Sequence, residues 1–333
     1  MTPGDSGRSG EDALIARYFR PLATDPGAFN LIDDAAVLQG RGDDIVVTTD
    51  AVLEGVHFLP DDPPDTVARK ALRVNLSDLA AKGAAPAGFV LTLALRQADD
   101  AWLGPFARAL GEDAAAFGCP LLGGDTDRTP GLLSIAITAF GRVPAGAMVR
   151  RSGGRVGDRV FVTGTIGDAA VGLEVLRGGK VAAALADLPS ACAALAARYR
   201  VPQPRVALAE VLRRHARGAM DVSDGLAGDL AKLCAASGVS ARIEVAAVPL
   251  SDGVRQALAR AAVPLETVLA GGDDYEILCT VAPAQCDAFV AAARSAGVAV
   301  SEIGALTAGD AAPVFLDAAG HPITLTRRSY SHF

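Results

Sequence analysis

The unusual chemistry of this chain lies in its aspartates, most of which stand beside Gly, Ser or Thr at strand ends or tight turns within apolar sequence. They occur as Asp33 and Asp34; Thr48, Thr49 and Asp50; Asn75, Ser77 and Asp78; Gly123, Gly124 and Asp125; Asp221, Ser223, Asp224 and Gly225; and Gly271, Gly272, Asp273, Asp274 and Glu276. One aspartate in a turn or at a helix start needs no special explanation, because its short side chain bonds nearby amides. Repetition weakens that reading. Like charges set close to apolar sequence repel one another and are costly to desolvate. A hard divalent cation resolves both problems, and carboxylate oxygens favour Mg²⁺ or Mn²⁺ over zinc.

Spacing agrees with this chemistry. Asn75 and Asp78 lie three apart on a predicted helix and share a face. Asp221 and Asp224 repeat that spacing across a predicted helix start, where Asp224 with Gly225 reads equally well as a cap. Thr48 and Thr49 add oxygen donors beside Asp50. Gly123–Gly124 and Gly271–Gly272 read as turns whose amides can approach an anion. Carboxylate-held metals next to such turns suit a substrate that carries phosphates. Neither GxxxxGKS/T nor GxGxxG occurs, which disfavours a P-loop NTPase, a protein kinase and a Rossmann dehydrogenase.

The elements that must position these groups follow from the apolar patterning. Residues 44–52, 87–95 and 132–143 read as strands, and 63–82 and 98–117 as helices. Residues 144–158 hold a run of glycines without a period and read as a domain junction. The alternation then resumes. Strands are expected near 159–163, 219–222, 240–245, 275–281 and 299–304. Helices are expected near 168–176, 182–212 (interrupted by Pro202 and Pro204), 224–236 and 283–296. The expected layout is a mobile segment over 1–10, a first domain over 11–145 and a second over 146–333.

The chain has 333 residues, enough for two domains at roughly 100–200 residues each. Half of its residues are apolar, so each domain can bury a core. The formal net charge is -7, from 31 basic and 38 acidic residues. No basic run is suited to a phosphate backbone, so a nucleic-acid partner is not expected. The five cysteines show no CxxC pair, so zinc and disulfides are not expected and reduced thiols are. No signal peptide or membrane-length apolar run is legible. The sequence reads as soluble and cytoplasmic, with no membrane partner.

Taken in order, TTDAVLEGVHF (48–58), KALRVNLSDLAAKGAAP (70–86), LLGGDTD (121–127), RSGGRVGDRVFVTGTIGDAAVGL (151–173), DVSDGLAGDL (221–230) and GGDDYEIL (271–278) resemble the thiamine-monophosphate kinase family. That family belongs to the superfamily of aminoimidazole-ribonucleotide synthetase. The resemblance implies an α/β (α+β) two-domain fold, with an N-terminal α/β domain and a C-terminal α+β domain. It also implies a homodimer paired through N-terminal strands, with a cleft near the dimer interface as active site. The implied reaction is ATP plus thiamine monophosphate to ADP plus thiamine diphosphate, by direct transfer with several Mg²⁺ ions.

Carried over residue by residue, the family's metal ligands fall on Asp34, Thr48, Thr49, Asp50, Asp78, Asp125, Asp221 and Asp224. Asp50, Asp78 and Asp221 are expected to matter most. Nucleotide contacts fall on Arg151 and Ser223, with Gly124 in the Gly-rich segment. Substrate contacts fall on His57 and Asp273. Three positions depart from the family pattern: Ile32 replaces a Gly before the first Asp pair, Asp273 replaces a Glu, and Arg327 falls where a Trp packs on the substrate ring. Two other readings stay open at this point: a synthetase or dehydratase of the same superfamily, and a metal–nucleotide scaffold without catalysis. The TTDAVLEGVHF and NLSDLAAKG segments favour the kinase over the first, and the retained metal ligands favour it over the second.

Overall fold

A computed structural model describes residues 14–26, 28, 42–326 and 329. The expectations for residues 1–10, Ile32, Asp34 and Arg327 therefore lie outside the described residues. The chain divides into two units. One comprises the chain to Leu76 and Pro86–Arg142, the other Ser77–Ala85 and the chain from Val143. The second unit thus takes in a piece, Ser77–Ala85, that a linear split at 145 does not contain.

The first unit is built on a four-stranded sheet. Its strands are β1 (Asp43–Leu53), β2 (Ala85–Leu95), β3 (Leu121–Arg128) and β4 (Ser134–Pro144), in the order β1-β4-β2-β3. β2 and β3 run parallel, a pairing that needs a long crossover. The helix Asp100–Ala116 supplies it. Its start is capped by Asp99, which accepts from the Ala101 amide at 2.9 Å. It is tied to the helix Pro64–Ala81 through buried Asp113, which takes bonds from Arg69 at 2.5 Å and Arg73 at 2.5 and 2.9 Å.

Period-two alternation decides the faces of β1. Val46 and Val52 are buried, whereas Ile45, Val47 and Leu53 are exposed, Val47 at 57%. Ala23 and Ala28 pack with Leu122, Val90 and Phe140, so part of the sheet is covered there. Cys119, just before β3, is fully buried.

The second unit holds a six-stranded sheet in the order β10-β7-β9-β5-β8-β6. The strands are β5 (Arg159–Thr163), β6 (Ala216–Val222), β7 (Ser240–Glu244), β8 (Glu276–Val281), β9 (Val300–Thr307) and β10 (Val314–Leu316). β10 and β7 are parallel; the other pairings are antiparallel. Both faces are buried, which explains the unbroken apolar runs of β5 and β8. Val160, Val162, Met220, Val222 and Leu278 share one core with Leu226, Leu230 and Leu233 of the helix Leu226–Ser237. Phe161, Ala219, Ile277 and Cys279 face another core, with Leu212, Phe289 and the helix-end residues Ala80 and Ala81. A third cluster, around Val171, Leu195, Val254 and Val268, joins helices alone.

The sequence reading located most of these elements within a few residues. It did not anticipate β3 as a strand, nor the helices Asp252–Ala259 and Leu265–Ala270, nor β10. Among the described residues no helix is long and apolar enough to cross a membrane.

Candidate active site

Among the described residues of the first unit, Asp50 and Asp125 sit on strands. Thr48 and Asp50 point to one side of β1 and Thr49 to the other. The Thr49 hydroxyl donates to Ile137 O at 3.2 Å and accepts from Thr138 at 3.0 Å. The two threonines therefore do not stand side by side around Asp50. Asn75, read from spacing as a partner of Asp78, is fully buried and serves Asp50 instead. Its amide oxygen accepts from the Asp50 backbone N–H at 3.0 Å, and its amide nitrogen donates to Ala71 O at 3.1 Å. Asn75 is a main-chain anchor for the strand that carries Asp50.

Gly123 and Gly124 are not a turn. They lie inside β3, with Gly124 opposite Leu91 of β2. A Cβ on Gly124 would sit 1.9 Å from Leu91 O, so only glycine permits the pairing. Asp125 follows on the same strand, exposed and opposite Thr92, and its carboxylate accepts from the Thr126 amide at 2.9 Å.

His57 closes a turn with Leu53. Its Nδ1 accepts from the Leu53 amide at 3.1 Å, and its own amide donates to Leu53 O at 2.9 Å. With Nδ1 accepting, the ring proton of neutral His57 resides on Nε2. Glu54 anchors the same turn: it is buried, takes two bonds from Arg96 at 2.7 and 2.9 Å, and accepts from Leu133 N at 3.2 Å. The Arg96 bond holds its carboxyl below the ordinary carboxylate range.

The second unit gathers Asp78, Asp221, Arg151 and Lys82. Asp221, near the end of β6, is buried and accepts from Ser77 Oγ at 2.7 Å. Burial, then the charge of Asp78, pushes its carboxyl well above the ordinary value. Lys82 Nζ donates to Ala219 O at 2.8 Å on the same strand. Burial and the neighbouring Arg151 lower its ammonium's pKa, against the pull of Asp221 and Asp78. Arg151 is exposed and directly follows Arg150, whose carbonyl accepts from Ala219 N at 2.9 Å. Gly153 lets this segment lie along β6, because a Cβ there would meet Arg217 O at 2.4 Å.

Ser223 and Asp224 follow in a loop. The helix begins later than expected, at Leu226, preceded by Gly225 at φ +109°, so Asp224 is not its cap. Asp229 shapes the loop. Fully buried, its Oδ2 accepts from the amides of Ser223 at 3.0 Å and Asp224 at 2.9 Å. Lys232 bridges Asp224 at 2.5 Å and Asp229 at 2.8 Å. Burial works to lower the Lys232 pKa, but the bonds to these two acids hold it above its ordinary value.

The Gly271–Glu276 segment splits its acids by role. Asp274 and Glu276 are buried and structural. Asp274 accepts from Gly167 N at 2.7 Å and Ala169 N at 3.3 Å, at the start of the helix Asp168–Leu176. Burial pushes its carboxyl well above the ordinary range. Glu276 takes two bonds from Arg205, at 2.5 and 2.7 Å, one from Arg198 at 2.8 Å and one from Thr163 at 2.5 Å. Asp273 remains as the half-buried acid of the loop. It has φ +75° and Tyr275 has φ +51°. Each such residue costs about 1–3 kcal/mol. Bonds from Asp273 N to Ser223 O and Tyr275 N to Val222 O, both 2.8 Å, offset part of that at roughly 1 kcal/mol apiece.

A buried carboxylate facing a second acid is what a bound cation relieves, and Asp221 with Asp78 meets that condition. Among the described residues no three His, Cys, Asp or Glu side chains form a metal-holding group by themselves. Mg²⁺ is commonly held by one or two carboxylates, with waters and substrate phosphates completing its shell, and the residues present fit that mode. Lys82, Asp229, Lys232 and Arg198 escaped the sequence reading. The visible hints were a lysine closing the NLSDLAAK helix and a third Asp in DVSDGLAGD.

This is a fold of two domains, each of mixed helices and sheet. Residues 32–143 match AIR synthase related protein, N-terminal domain, and residues 155–317 the C-terminal domain of the same family. The thiamine-monophosphate kinase of Caulobacter vibrioides is 44% identical over 324 residues, covering 96% of this chain and 89% of its own. The crystal structure of thiamine-monophosphate kinase from Stenotrophomonas maltophilia K279a superposes with TM-score 0.81 at 36% identity, over 94% of this chain and 96% of that one. AaThiL complexed with AMPPCP and TMP gives TM-score 0.75 at 28% identity, over 92% and 97%. The chain belongs to the thiamine-monophosphate kinase family within the AIR synthase related proteins.

Proposed function

We propose that this protein transfers the γ-phosphoryl group of ATP to the phosphate of thiamine monophosphate, giving ADP and thiamine diphosphate. The observation that carries the reading is the buried Asp221 carboxylate, faced by Asp78 and held by Ser77, in a chain whose curated relatives bear that name. Phosphoryl transfer needs positioning and charge neutralisation rather than a covalent intermediate. The acceptor phosphate is ionised at neutral pH, so no strong general base is required.

Asp50, Asp78 and Asp221 would hold Mg²⁺, with Asp34, Thr48, Thr49, Asp125 and Asp224 as further oxygen donors. When bound, Mg²⁺ supplies the positive charge that lets anionic phosphates approach one another. Arg151 offers a guanidinium fork to nucleotide phosphate, Ser223 an adjacent hydroxyl, and Gly124 a strand backbone without a side chain. His57 donates from Nε2 to the acceptor, Asp273 presents its carboxylate to it, and Arg327 completes the acceptor side. The apolar outer face of β1, with Ile45, Val47 and Leu53 exposed, supports a homodimer paired through this sheet. The cysteines are all free thiols, which supports a cytoplasmic location.

Incubation with ATP, Mg²⁺ and thiamine monophosphate, followed by chromatography, tests the reading. Metal-dependent formation of ADP and thiamine diphosphate, lost in Asp78→Asn, is expected. ADP release without thiamine diphosphate would move the acceptor elsewhere. Tight Mg·ATP binding without turnover would leave a scaffold in place of a kinase.

A further inference from the structure

Among the described residues, left-handed backbone outside glycine occurs at Ala261, Asp273 and Tyr275. Two of the three fall in one short stretch, and that stretch carries the acid assigned to the acceptor. A turn of this kind does not hold itself, because each residue would relax to an ordinary conformation if released. Main-chain bonds fix its two ends, at Asp273 N and Tyr275 N. The peptide that joins Asp274 to Tyr275 is thus held at its N–H by Val222 O, and its carbonyl is held by a side chain. Arg198 Nη2 donates to Asp274 O at 3.0 Å and to Glu276 Oε1 at 2.8 Å.

Arg205 makes a useful contrast. It donates twice to Glu276, and among the described residues its hydrogen bonds go to no other group. Arg198 does less for Glu276 but also reaches the turn. Among the described residues its Nη1 is buried without an acceptor, so both of its bonds run through Nη2. Its side chain is 17% exposed, so the guanidinium works in a low-dielectric setting where such bonds are strong.

We propose that Arg198 is a positioning residue for the acceptor: by fixing the Asp274–Tyr275 peptide, it holds Asp273 in the left-handed conformation that presents its carboxylate. The proposal rests on the assignment of Asp273 to the acceptor side of the kinase site. Arg198 spends its hydrogen bonds on the turn and on Glu276, so its effect should show as a selective change in acceptor affinity.

The test compares steady-state kinetics of Arg198→Met, Arg198→Lys, Arg205→Met and Asp273→Ala with the wild type. Arg198→Met should raise KM for thiamine monophosphate about tenfold while KM for ATP stays within about twofold. Arg198→Lys, which keeps one donor for Asp274 O, should recover much of that loss. Arg205→Met should lower thermal stability with KM for thiamine monophosphate unchanged. If Arg198→Met does not fold, Arg198→Lys decides the matter, because an ammonium cannot serve both acceptors with the same geometry and its KM for the acceptor alone should rise measurably. Equal rises in both KM values, or a rise in Arg205→Met matching that in Arg198→Met, would reduce Arg198 to a structural role. Should Asp273→Ala raise the acceptor KM while both Arg198 variants leave it unchanged, positioning by Arg198 is wrong and Asp273 stands. Should Asp273→Ala leave the acceptor KM unchanged, the Asp273 assignment itself fails, and the proposal with it.

Discussion

Gly-Gly-Asp occurs at residues 123–125 and again at 271–273, and the two copies fold in unlike ways. The first lies in β3. Its second glycine abuts the carbonyl of Leu91 on β2, and its aspartate sits in extended backbone on an exposed strand. The second is a loop. Gly271 abuts Ala170 and Thr267, Gly272 abuts Ser223 O, and the aspartate is left-handed. Both copies need glycine because another backbone comes too close for a Cβ. The conformation of the aspartate, however, is set by the neighbour: a parallel strand in one case, a bonded loop in the other. Local sequence places the acid, and distant sequence aims it.

The largest effects should come from filling the glycines. Gly124→Ala and Gly272→Ala each force backbone apart and should cost about 3 kcal/mol or more. Hydrogen exchange distinguishes them: Gly124→Ala should expose amides of β2 and β3, and Gly272→Ala those of β8 and the Ser223 loop. Matching exchange patterns would break the comparison.

Next come the acids themselves. Asp125→Asn removes a proposed metal oxygen and should lower kcat on the order of 10²-fold. Asp273→Asn should act chiefly on KM for the acceptor. Steady-state kinetics with each substrate varied separates the two, and an identical profile would mean the two copies share a role.

A third difference is titratable. The second copy is followed by buried Asp274, whose carboxyl is raised. A raised acid favours the fold most below the unfolded value of about 4 and loses that contribution as pH climbs through the folded value. Asp274→Asn should therefore gain on the wild type as pH rises above about 4, by up to about 1.4 kcal/mol per pH unit within the window. Urea midpoints across pH read this directly; a gap independent of pH would mean that Asp274 ionises in the fold as freely as in the unfolded chain.

The smallest effect has opposite signs in the two copies. Asp273→Gly relieves a left-handed residue and should stabilise by about 1 kcal/mol, although the acceptor KM suffers. Asp125→Gly loosens an extended strand and should destabilise by about 0.5–1 kcal/mol. Thermal melts of both variants decide it.

Much of this molecule was legible because its strands and long helices carry plain periodicity. β1, the helix Pro64–Ala81 and β8 lie where alternation and apolar runs put them. β3 escaped because two glycines at its centre imitate a turn; only the presence of β2 alongside makes them strand residues. The acidic positions were legible as a set, but their supports were not. Ser77 reaches Asp221 across 144 positions and Arg198 reaches Glu276 across 78, and no local spacing encodes such pairings. The split between half-buried Asp273 and structural Asp274 and Glu276 was hidden for the same reason, since it depends on which carboxylate the amides and arginines capture.

Cys119 gives the protein a clock of its own. It is the first unit's sole cysteine, fully enclosed, and burial pushes its thiol up to about 12. A thiol reagent can reach it only when the end of the β2–β3 crossover opens, whereas half-buried Cys192 and Cys286 report on the second unit. The labelling rate at Cys119 therefore counts how often the strand bearing Asp125 comes loose, with no residue changed.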